Sequence, residues 1–193
     1  MGRARTKEED RGTQTSSAVL RLARVALGVN QREAAIVSEI GWRSMQRLEL
    51  DEQVGEEIRD KVQKAWEQRG IAFLKSDDKG WGIRVRKLPV DDDHVSFEAL
   101  RALRTGLAMS VEEAAEKAGV PHKLLNRLES GHFVEAEIWQ AVTDAYKKMG
   151  VKFLPPTSQK GWGFRIPDSL SPEHGDVLLI RPRRGSGGAR RRA

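Results

Sequence analysis

Set against itself with an offset of 80 residues, the chain reads twice. Leu20-Arg21 falls on Leu100-Arg101, Arg24 on Arg104, Glu33-Ala34-Ala35 on Glu113-Ala114-Ala115, and Arg47-Leu48-Glu49 on Arg127-Leu128-Glu129. The match runs on through RGIAFL (69–74) against MGVKFL (149–154). It resumes with one extra residue at KGWGIRV (79–85) against KGWGFRI (160–166). Two copies of one fold of about 70 residues are the simplest account of such a period.

The joint is LPVDDDHVS (88–96), where three aspartates and a proline interrupt both copies and predict an exposed linker. The expected organisation is a disordered arm (1–16), a first domain (17–88), an acidic linker (89–96) and a second domain (97–168). A short extra strand (169–180, from GDVLLIRP) and a disordered basic tail (181–193, RPRRGSGGARRRA) follow.

Within each copy the periodicity predicts a first helix (about 18–28 and 97–107) and a second opened by a capping box, Asn30 with Glu33 and Ser110 with Glu113. Turns at 39–41 and 119–121 lead into third helices at 42–50 and 121–129, and longer amphipathic helices follow at about 54–69 and 134–149. Each copy closes with two short apolar runs around a polar turn, which predicts a β-hairpin. Trp81 and Trp162 alternate at strand spacing with polar or small residues, so they are expected to plug a core or sheet interface, not to stack bases.

The segment GVPHKLLNRLESG (119–131) separates into two stripes at 3.6 residues per turn. His122, Lys123, Asn126 and Arg127 share one flank, and Leu124, Leu125 and Leu128 share the other. One flank is suited to burial and the other to a partner.

GLAMSVEEAAEKAGVPHKLLNRLESG in the second copy and ALGVNQREAAIVSEIGWRSMQRLE in the first resemble the Cro/repressor (XRE-type, lambda-repressor-like) helix-turn-helix family. The second copy keeps Arg104, Ser110, Ala115, Gly119-Val120, Leu125, Leu128, Glu129 and Gly131 of that pattern. The first keeps Arg24, Leu27-Gly28, Asn30-Gln31, Ala35, Met45, Leu48 and Glu49. Two departures stand out: Glu39-Ile40 where the family has Gly-Val, implying a looser or tilted turn, and Val111 where the family places a phosphate-touching Gln.

The resemblance implies a mainly α fold of two tandem helix-turn-helix domains, each closed by a C-terminal β-hairpin. It also implies third helices that lie in the major groove of double-stranded DNA. The expected reading residues are Trp42, Arg43, Gln46 and Arg47 in the first copy and His122, Lys123, Asn126 and Arg127 in the second. Arginine matches the two acceptors of guanine, and Asn or Gln the donor and acceptor of adenine. Gln31, His132 and the tail arginines Arg183 and Arg184 are expected on phosphate. Arg24 with Glu49 and Arg104 with Glu129 are expected as structural ion pairs. Paired hairpins would make an intramolecular pseudo-dimer reading an asymmetric operator; alternatively one copy joins two chains as a homodimer. A transcription-machinery partner is a further expectation.

Composition bounds these readings. The net charge is +6, and the six arginines of 181–193 supply all of it. The rest of the chain is electrically balanced, so DNA binding by the body must rest on patterning. With no cysteine and no long apolar run, the chain is expected to be cytoplasmic and nucleoid-associated, with no membrane span. His94, His122, His132 and His174 lack metal-ligand spacing, and no nucleophile or phosphate-loop motif is present, so neither enzyme activity nor a cofactor or metal is expected. The rival expectation is a protein-binding helix-turn-helix module (anti-activator, antitoxin or sigma-like adaptor), favoured by Trp42, Leu50 and Leu124 on or beside the stripes.

Overall fold

Three of the helices begin where a side chain accepts from an otherwise unpaired first amide. The computed structural model describes residues 15–74, 80–86, 97–157 and 160–170, and among them the chain is mainly helical with one small antiparallel sheet. The expected linker 89–96, the tail with Arg183 and Arg184, and most of the expected arm and extra strand lie outside the described residues.

The first half contributes α1 (Ser17–Ala26), α2 (Gln31–Val37), α3 (Trp42–Glu49), α4 (Glu56–Gln68), β1 (Ile71–Leu74) and β2 (Trp81–Arg86). The second half contributes α5 (Phe97–Gly106), α6 (Val111–Ala118), α7 (His122–Glu129), α8 (Ala136–Lys148), β3 (Lys152–Leu154) and β4 (Lys160–Ile166). Asp168–Leu170 form a 3-10 turn. The start of the expected extra strand is therefore helical in hand, since Leu170 N–H closes back on the Pro167 carbonyl.

Both capping boxes form: Asn30 accepts from Arg32 and Glu33 amides while Glu33 reaches back, and Ser110 accepts from the Glu113 amide while Glu113 reaches back. Ser16 caps α1 through the Val19 amide, and the Thr15 hydroxyl donates to Gln63 on α4. The end of the expected disordered arm is thus tied down by side-chain hydrogen bonds.

The turn after α2, expected to be looser than its counterpart, has the same bonds. Ile40 N–H donates to Ala35 and Val120 N–H to Ala115. Glu39 adopts a left-handed φ of 53° where Gly119 adopts 67°. Glu39 in the place that glycine holds in the other repeat is absorbed as backbone strain, because a residue with a Cβ occupies a conformation that glycine adopts freely.

The strands form one four-stranded sheet in the order β1-β2-β4-β3. In the central antiparallel pair Ile83 faces Phe164, its own counterpart in the repeat, with Gly82 facing Arg165 and Arg84 facing Gly163. A strand that pairs with its equivalent at the equivalent residue defines a local two-fold relation between the halves. The relation extends to side chains: Arg84 Nε donates to the Gly161 carbonyl (3.2 Å), and Arg165 Nη1 to Gly80, the counterpart of Gly161 (2.8 Å). It breaks between Arg84 and Arg86, where the register shifts.

Trp81, Ile83, Val85, Trp162, Phe164 and Ile166 turn one apolar sheet face inward. Trp162 and Phe153 both pack on the Phe164 ring, at 5.1 Å and 5.9 Å between centroids. With α1 against α5, residues of both repeats make one continuous apolar cluster.

Candidate nucleic-acid interface

The third helix of each repeat is short, and its sequence sorts by face. In α3, Met45, Leu48 and Glu49 are buried while Trp42, Arg43 and Arg47 are exposed and Gln46 is half-buried. In α7, Leu125, Leu128 and Glu129 are buried while His122, Lys123, Asn126 and Arg127 are exposed and Leu124 is half-buried. Neither helix start, at Gly41 or Pro121, has a side-chain cap.

The buried end of each helix is held by an ion pair. Arg24 on α1 grips both Glu49 oxygens through Nε and Nη2 and donates from Nη1 to the Val29 carbonyl (2.8 Å). Arg104 on α5 grips Glu129 (2.7–3.0 Å) and donates to Met109, the counterpart of Val29 (2.9 Å). Burial opposes the charge on Arg104, but the Glu129 carboxylate outweighs it and holds the guanidinium more firmly protonated than usual. The Tyr146 phenol is pushed well above its ordinary value by burial and by the nearby Glu129. Each pair fixes the angle of the third helix to the first; removing one partner would strand a buried charge at a cost of about 3–5 kcal/mol.

Gln31, expected on phosphate, donates to Glu49 Oε2 (2.6 Å). It lies half-buried at the start of α2 as a further donor to that carboxylate, a place its counterpart Val111 cannot fill. His132 is exposed in the segment after α7.

Several partners of the outward stripe escape sequence reasoning. Arg32 on α2 lies over the Trp42 ring at 5.5 Å, a cation–π contact. Arg47 folds back onto Glu52 (3.2 Å) and the Gln53 carbonyl (2.5 Å). Arg127 folds back onto the Phe133 carbonyl, the counterpart of Gln53, at 3.3 Å. Both arginines thus rest on the segment following their helix, Arg47 by an exposed ion pair and a bond to a carbonyl, and Arg127 by one long bond to the equivalent carbonyl. The only signal in the sequence was the spacing 47/52, which on its own does not distinguish an ion pair from two solvated charges.

No family model, no curated protein and no solved structure matches the chain. Among the described residues, no helix is long and apolar enough to cross a membrane.

Proposed function

We propose that the protein is a sequence-specific, double-stranded-DNA-binding transcription regulator. In this reading it consists of two tandem lambda-repressor-like helix-turn-helix domains that read the major groove with α3 and α7. The observation that carries it is the same sorting of faces in both helices: aliphatic flank and terminal glutamate inward, Arg43 and Arg47 or Lys123, Asn126 and Arg127 outward. A helix of this bore fits the major groove, and these side chains match the donor and acceptor patterns of guanine and adenine. The two-fold relation through β2 and β4 supports an intramolecular pseudo-dimer, which presents two unlike reading helices to one duplex.

The test is selection of bound duplexes from a random pool, followed by gel shift with Arg43→Ala and Arg127→Ala. Each is expected to weaken the selected site by about 1–3 kcal/mol and to relax preference at different base pairs. Unchanged binding by both variants would remove the reading-face assignment.

A second reading, docking of a protein on the first repeat, is favoured by exposed Ile36, Trp42 and Leu50 at 76%, 43% and 42% exposure. Salt separates the two: binding through phosphates falls steeply as salt rises, and binding through an apolar patch does not.

A further inference from the structure

The seam where α1 meets α5 relates the two repeats, and its residues are complementary in a way that equal halves could not be. Leu22 is fully buried against Gly106, and a Cβ on Gly106 would lie 2.6 Å from Leu22 Cδ1 and 2.8 Å from Leu22 Cβ. In the repeat, the counterpart of Leu22 is Ala102 and the counterpart of Gly106 is Ala26. The first repeat therefore supplies large-then-small (Leu22, Ala26) and the second small-then-smaller (Ala102, Gly106).

Under the two-fold relation defined by Ile83 and Phe164, the Leu22–Gly106 contact has as its mate the positions of Ala102 and Ala26. Two first repeats would set Leu22 against an alanine Cβ twice, within the distance that overlaps. Two second repeats would set Ala102 against Gly106 twice and leave space unfilled. Close-packed interiors penalise both errors.

The polar contacts break symmetry in the same sense. Arg21 on α1 donates to the Thr105 carbonyl (2.9 Å) and the Gly106 carbonyl (3.4 Å) at the C-terminal end of α5, where a cation meets the negative end of the helix. It also holds the Glu49 carbonyl (2.6 Å). Its counterpart Arg101 has a buried Nε with no hydrogen-bond partner among the described residues.

We propose that the α1–α5 seam is a heterotypic docking surface, which accepts one first repeat and one second repeat and discriminates against two of a kind. The partner each half fits is the other half of this sequence. One consequence rests on the DNA-binding reading above: every complex carries one α3 and one α7, so the two half-sites of an operator differ and have a fixed order.

The seam itself is tested without DNA, so its failure is distinct from failure of that reading. Urea midpoints of the full chain, followed by tryptophan fluorescence, are compared for four variants. Gly106→Ala is expected to lower the midpoint, although in a helix this exchange ordinarily raises it. Ala102→Leu/Gly106→Ala, a first–first seam, and Leu22→Ala/Ala26→Gly, a second–second seam, are each expected to lower it. The quadruple variant combining all four changes transposes the seam, and its midpoint is expected above both doubles. A Gly106→Ala midpoint equal to or above that of the unaltered chain, or a quadruple variant no more stable than the better double, overturns the proposal.

Discussion

At four equivalent places among the described residues both repeats need a left-handed residue, and at three they disagree about which residue supplies it. Gly28 pairs with Ala108 (φ 68° and 54°), Glu39 with Gly119 (53° and 67°), Asp51 with Gly131 (58° and 75°), and Gly70 with Gly150 (93° and 92°). A residue with a Cβ is strained there. Glu39→Gly and Ala108→Gly are each expected to raise stability by about 1 kcal/mol, read from urea denaturation. The reverse changes separate strain from crowding. A Cβ on Gly119 meets nothing within 4 Å, so Gly119→Ala should lose only the conformational term. A Cβ on Gly131 lies 2.9 Å from the far end of the exposed Phe97 ring, which is free to swing aside, so Gly131→Ala should lose little more than Gly119→Ala. A clearly larger loss at 131 would show that Phe97 is held in place. The need for glycine at 119 and 131 was legible in the motif; the strain at Glu39 and Ala108 was not, because φ is set by the turn and not by residue type.

The helices and strands owe their limits to local chemistry, and their meaning to what they pack on. The capping boxes placed the starts of α2 and α6 in the sequence to the residue, since both acceptor and donor lie within four positions. The repeated Trp-Gly-aliphatic/aromatic-Arg motif announced a strand by its alternation. What it did not disclose is why glycine precedes the core residue in each copy. Gly163 faces Arg84 across the central pair, and a Cβ there would lie 2.6 Å from the Ile83 carbonyl oxygen and 3.0 Å from Arg84 Cα. Gly82 answers to Arg165 in the same way. The glycines let the backbones of the two central strands approach, since a Cβ at either position would strike the carbonyl oxygen of the core residue on the opposite strand, a partner distant in sequence. Gly163→Ala, which in an isolated strand would be neutral or favourable, is expected to cost about 1–3 kcal/mol here. Thermal unfolding of the variant is the measurement, and an unchanged midpoint would mean that β2 and β4 separate without loss.

For the whole molecule, charge and pattern point to different parts of the chain. The excess positive charge is confined to 181–193, whereas the residues proposed to read bases sit on α3 and α7. Deleting 181–193 is therefore expected to weaken binding to all duplexes alike and to flatten the salt dependence, by up to about 0.9 in slope for each phosphate that the tail would neutralise. Sequence preference should survive. A deletion that changed preference while sparing the slope would place base recognition in the tail. By itself the sequence determined the duplication, the starts of α2 and α6 and the stripes of α3 and α7, because these follow from periodicity and short-range hydrogen bonding; the residues of the two buried ion pairs were implied by the family resemblance. Only the tertiary structure decided that Gln31 serves Glu49, that Arg47 and Arg127 fold back, that Arg32 covers Trp42, and that Leu22 requires Gly106. Each of those depends on which surfaces close-pack, and the steric fit of two surfaces is a property of neither segment alone.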